Sequence, residues 1–143
     1  MKNFGYCIWL TNKYKKKYSN LTNGFKLHLT IKSELSLNEA EELKKKINNI
    51  GNIAVRIKEP IVYTKEINFY ALLCNASLDL NQSNNFTNLS EFWPKNAHIS
   101  FYYSYEDITN SIINKLKNSI DYNQLFYFDT IEIRKCTNHF NEW

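Results

Sequence analysis

Apolar and polar residues alternate one by one through several stretches of this chain, the period of a strand with one buried face. Over residues 25–32, Phe25, Leu27, Leu29 and Ile31 fall on one side and Lys26, His28, Thr30 and Lys32 on the other. Residues 96–103 repeat the pattern, with Ala97, Ile99, Phe101 and Tyr103 toward a core and Asn96, His98, Ser100 and Tyr102 away from it. A first strand is predicted over residues 4–10. Residues 53–58 and 67–74 read as two more, joined through a turn near Glu59-Pro60, with residues 61–63 extending one of them. Residues 125–134 return as one long or two short strands.

The period changes to that of a helix twice. Ser36 with Glu39 three residues later forms a capping box, acidic residues occupy the first turn, Lys44, Lys45 and Lys46 load the last, and Gly51 closes the segment. A second helix is predicted to start at Ser104 or Glu106, its Ile108, Ile112, Ile113, Leu116 and Ile120 forming one apolar stripe. Residues 12–23 are polar and end in an Asn23-Gly24 turn signal. Residues 79–90 are polar and Asn-rich and are the best candidate for a mobile loop. Each of the two matched strands is followed directly by a helix, which suggests a duplicated α+β unit with a pseudo-twofold relation.

The polar side of each matched strand carries the same triplet, His28-Leu29-Thr30 and His98-Ile99-Ser100. Two strands that each present an imidazole and, two residues on, a hydroxyl form a pocket when laid side by side. The segments Lys26-Leu27-His28-Leu29-Thr30-Ile31 and Ala97-His98-Ile99-Ser100-Phe101 resemble the paired His-x-Thr/Ser motifs of the 2H phosphoesterases, with Leu27 where many members have proline. The resemblance implies a bilobal α+β fold, two antiparallel sheets backed by helices with the cleft between them. It also implies a phosphodiesterase in which His28 and His98 move protons while Thr30 and Ser100 hold the phosphate. Substrates of that kind are cyclic nucleotides or RNA ends such as 2′,3′-cyclic phosphates; viral members act on 2′,5′-oligoadenylates or cyclic dinucleotides.

The residue chemistry agrees with that expectation. Histidine titrates near neutrality, so one ring accepts a proton from water or a ribose hydroxyl while the other protonates the departing oxygen. Hydroxyls beside them stabilise the charge that builds on the non-bridging oxygens. No phosphate-cradling glycine loop or metal-ligand cluster is visible, so neither metal nor other cofactor is expected. Lys32 and Tyr102, on the predicted faces of the two motifs, are further candidates for phosphate contact. Lys26, Arg56 and Lys58 are weaker ones, more often solvated surface. Trp9, Tyr70, Trp93 and Trp143 are stacking candidates for which core packing is the commoner role. His139, in a polar tail, reads as surface.

A length of 143 residues suits one domain, residues 1–143, with a real core. A net charge of +4 suits a small anionic ligand and falls short of a duplex-binding stripe. The heavy use of Asn, Lys, Ile and Tyr looks like codon bias of an A/T-rich genome, compatible with a viral source. Cys7, Cys74 and Cys136, odd in number and set in apolar runs, read as reduced core residues of a cytoplasmic protein. No signal segment or membrane-length apolar run is present, and no obligatory protein partner is evident. A contrasting reading is a non-catalytic α+β module that binds single-stranded RNA through exposed aromatics, which leaves the paired triplets as coincidence.

Overall fold

The computed structural model describes residues 5–14, 18, 21–22, 25–47, 50–66, 68–83 and 86–135. The strands are β1 (Tyr6–Thr11), β2 (Leu29–Leu35), β3 (Ile53–Lys65), β4 (Tyr70–Leu78), β5 (His98–Ser104), β6 (Leu125–Phe128) and β7 (Thr130–Lys135). The helices are α1 (Leu37–Lys46), between β2 and β3, and α2 (Asn110–Ser119), between β5 and β6. Together they make a mixed α+β fold around one seven-stranded sheet, in the order β6-β3-β4-β5-β2-β1-β7, and every recorded pairing is antiparallel.

The two expected sheets are therefore halves of one, and the junction between them is narrow. β2 and β5 meet in a single bridge, Leu29 to Ile99, whereas the pairs on either side run for several residues. The two helix-backed segments also match in order: β2, α1, β3 and β5, α2, β6. The halves interlock, because the chain crosses after α1 from the half containing β2 to the half containing β5 and crosses again between β6 and β7. The outermost strands, β6 and β7, are separated by Asp129 alone, so the sheet curls until its two edges approach one another. Asp129 fixes that corner: its amide donates to the Thr11 carbonyl at 2.9 Å, and its carboxylate accepts from the Lys13 amide at 2.9 Å and the Thr130 hydroxyl at 2.8 Å.

Alternation places the core as expected. Ile8, Leu10, Leu29, Ile53, Val55, Leu72, Cys74, Ile99, Phe126 and Phe128 fill one face of the sheet, and Ala40 of α1 with Ile112, Ile113 and Leu116 of α2 pack against the same cluster. Both helices thus lie on the apolar face, and no described helix covers the other. α1 starts at the predicted capping box, Ser36 accepting from the Glu39 amide at 3.1 Å while the Glu39 carboxylate accepts from the Ser36 amide at 3.0 Å. It ends at Ile47, before Gly51. α2 starts later than expected, because Thr109 is its N-cap and Ile108 is a buried residue ahead of it.

Glu59-Pro60 is not a turn. β3 runs through it, and the register slips from Lys58 opposite Asn75 to Val62 opposite Leu73, a bulge that accommodates a proline with no N–H to donate. The turn comes later, where the Glu66 amide bonds the Phe69 carbonyl. Residues 125–134 form two short strands at opposite edges of the sheet.

The cysteine expectation needs correction. Cys74 is buried and outside any disulfide, but Cys7 is disulfide-bonded, so the three cysteines are not all reduced core residues. Cys136, His139 and Trp143 lie outside the described residues. Alkylation of the denatured, unreduced protein followed by peptide mapping should label Cys74 and leave Cys7 unmodified until reductant is added. Labelling of Cys7 without reductant would show the bond absent. No described helix is long and apolar enough to cross a membrane.

Candidate functional site

His28 is the residue just before β2, and His98 is the first residue of β5. The Leu29–Ile99 bridge between these antiparallel strands sets His28 opposite Ser100 and Thr30 opposite His98. Each histidine therefore faces the hydroxyl of the other triplet. The two imidazoles form a diagonal pair, for which Cα atoms stand about 7–8 Å apart. All four side chains occupy the face that the helices leave uncovered, since Leu29, Ile31, Ala97 and Ile99 between them belong to the core.

Both imidazoles are held in the same way. Nδ1 of His28 lies 2.8 Å from the Lys26 carbonyl oxygen, and Nδ1 of His98 lies 3.2 Å from that of Asn96, in each case two residues upstream. A carbonyl only accepts, so Nδ1 carries a proton in both rings, and Nε2 faces outward, a lone pair on a neutral ring or an N–H on an imidazolium.

The environments differ. His28 is 6% exposed and its ring stacks on Trp9, centroids 3.6 Å apart and planes 10° from parallel, with Phe25 edge-on at 6.3 Å. Burial first, and then the positive charges of His98 and Arg134, push its pKa down to about 4 against the opposing pull of the Lys26 carbonyl and the Glu132 carboxylate. His28 is neutral near pH 7. His98 is exposed.

Behind Trp9 lies a small charge network. Trp9 sits opposite Thr30 on β2 and opposite Glu132 on β7. Lys26 Nζ is 3.2 Å and Arg134 3.4 Å from the Glu132 carboxylate, and the Arg134 guanidinium lies 5.0 Å from the Trp9 ring centre. Burial opposes charge on Glu132, but Lys26 and Arg134 outweigh it and hold its pKa below the usual range. Thr11, also in this flank, is fully buried, and its hydroxyl adds to the pull that keeps the Glu132 carboxylate ionised.

Two candidates are placed elsewhere by irregularities in their strands. On β5, Leu72 pairs with Tyr102 but Leu73 pairs with Ser100, so Phe101 is an extra residue and the alternation inverts after it. Tyr102 packs on the main core. Tyr103 takes its place on the site face, where it clusters with Phe25, Phe69 and Ala71 and its hydroxyl hydrogen-bonds Ser100. On β2, Trp9 pairs with Thr30 but Ile8 pairs with Lys32, so the chain again gains a residue. Lys32 is exposed and close enough to Glu39, at the start of α1, to favour that carboxylate. Neither Lys32 nor Tyr102 joins the four motif residues.

Of the weaker candidates, Arg56 pairs with Asp79 at 2.9 Å, and Tyr70 and Trp93 pack on the core. Lys26 enters the network that faces His28, and Trp9 stacks on the histidine itself. Glu132 and Arg134 were readable as a face, because Ile131 and Ile133 alternate with them. Tyr103 had no such signal, since a bulge leaves no mark in a run of hydrophobic residues. Among the described residues no three His, Cys, Asp or Glu side chains converge as a metal site would require.

Comparison of the chain with family models, curated proteins and solved structures finds no match.

Proposed function

We propose that this chain is a phosphodiesterase of the 2H type, acting on a cyclic nucleotide or RNA-end phosphodiester such as a 2′,3′-cyclic phosphate, with no metal ion in the reaction. The observation that carries the reading is the quartet itself: two histidines, each clamped at Nδ1 by the carbonyl two residues before it and each facing the other motif's hydroxyl across one bridge. One antiparallel sheet whose halves meet at a narrow junction supports that reading.

In this mechanism His28 is the base. It is neutral, and its free Nε2 takes a proton from the attacking water. The phosphate's negative charge beside it raises its affinity for that proton. His98 enters the step as the imidazolium, its Nδ1 proton held by the Asn96 carbonyl, and delivers its Nε2 proton to the oxygen that leaves phosphorus. Thr30 and Ser100 donate to the non-bridging oxygens, with Ser100 oriented by Tyr103. A module that only bound single-stranded RNA would have no use for matched Nδ1 clamps.

The test is a panel of 2′,3′-cyclic nucleotides, 2′,5′-oligoadenylate, cyclic dinucleotides and 3′,5′-linked RNA incubated with the protein in excess chelator. Product from one of these substrates, formed at an undiminished rate under chelator, is expected. Lack of turnover across the panel, or activity lost to chelator and restored only by a particular divalent ion, would overturn the proposal.

A further inference from the structure

The uncovered face is closed on one side of the histidines and open on the other. Register links six residues into a single row across the sheet: Lys58, Asn75, His98, Thr30, Trp9 and Glu132. Their neighbours Ile57, Cys74, Ala76, Ile99, Leu29, Ile8 and Ile133 all belong to or pack on the core, so the row points to the opposite side. Beyond Thr30 the row is filled: Trp9 is 4% exposed and Glu132 is bound by two cations. Beyond His98 it is bare, because Asn75 and Lys58 are both exposed.

A substrate whose scissile phosphate sits between His28 and His98 must therefore place the rest of itself over β4 and β3. There it meets an amide and then an ammonium. Lys58 lies two strands from His98, about 10 Å between Cα atoms, and its four-carbon stem shortens that gap. Among the described residues no carboxylate is within ion-pair distance of it, whereas the neighbouring Arg56 is occupied by Asp79. A cation left unpaired one nucleotide along from a phosphate-cleaving pair is complementary to a second phosphate.

Resting on the phosphodiesterase reading above, we infer that the substrate is an oligonucleotide rather than a mononucleotide, with the phosphate next to the scissile one bound by Lys58 and its sugar or base edge by Asn75. A single cyclic nucleotide leaves Lys58 and Asn75 in water.

The experiment compares adenosine 2′,3′-cyclic phosphate with a triadenylate ending in the same cyclic phosphate, using the wild-type chain, Lys58→Gln and, as a control on the helix-covered side, Lys115→Gln. The wild type is expected to favour the trinucleotide by roughly tenfold or more in kcat/KM. K58Q should lose most of that preference through KM, with kcat and mononucleotide turnover unchanged, while K115Q behaves as wild type. The salt dependence of KM for the trinucleotide should flatten in K58Q by about 0.7 in log–log slope, the loss of one phosphate contact to a single strand. Equal turnover of the two substrates, or equal effects of K58Q on both, would overturn the inference and leave the phosphodiesterase standing. Absence of wild-type turnover on both would overturn this inference, and the phosphodiesterase reading then falls only if the whole panel above is also inert.

Discussion

Replacing His28 or His98 by alanine is expected to remove nearly all turnover, about 10²- to 10⁴-fold each, because each change takes away one end of the proton transfer. Thr30→Ala and Ser100→Ala should cost less, since each hydroxyl supplies one of several contacts to the phosphate. The folds of all four variants should survive, although H28A also vacates the surface on which Trp9 stacks. Circular dichroism beside the rate measurement separates loss of chemistry from loss of structure. A histidine variant that keeps full activity with a native spectrum would refute the acid and base assignment.

Acidification is expected to destabilise the protein through His28. Its folded pKa is depressed from about 6.5 to about 4, so between those values the unfolded chain binds a proton that the folded chain refuses. Stability from this group is fully present above about pH 6.5 and is lost as the pH falls toward 4. The full loss is about 3 kcal/mol, a large fraction of the stability of an ordinary domain. Urea denaturation at a series of pH values should show that slope in the wild type and a flatter one in His28→Asn, which has no imidazole to protonate. The same protonation disables the base, so the rate should fall on the acid side over an overlapping range, and the alkaline limb belongs to the pair as a whole. Identical slopes in wild type and H28N would show that His28 is not buried in its neutral form.

Much of this arrangement was readable in the sequence, and the unread parts share one cause. Strict alternation placed His28, Thr30, His98 and Ser100 on the polar side of two strands, and it would have placed Lys58, Asn75, Glu132 and Arg134 there as well. Cross-strand order is a different matter. Nothing local in the residues brings Trp9 against His28, because that contact needs β1 to lie beside β2. Bulges defeated the rest. One added residue exchanged Tyr102 for Tyr103, another turned Lys32 away, and two more let β3 pass through Pro60 where a turn was expected. Such insertions depend on partner strands, and in runs such as Phe101-Tyr102-Tyr103 either face accepts the side chains offered. α1 was legible to the residue at its start because its capping box is a local hydrogen-bonded device.

The single-residue link at Asp129 has a consequence for the order in which the protein is made. β1 is made before every other described strand, yet its outer neighbour β7 is the last of them, and Trp9 pairs with Glu132 from far along the sequence. Contacts this distant in sequence incur their loop-closure entropy before they return any stabilisation, which slows folding. Until β7 arrives, the β1 edge stands unpaired and the Glu132 and Arg134 charges around Trp9 and His28 are missing. The nascent chain therefore carries both triplets before it carries β7, and during that interval the β1 edge is open to capture by a chaperone or by another copy.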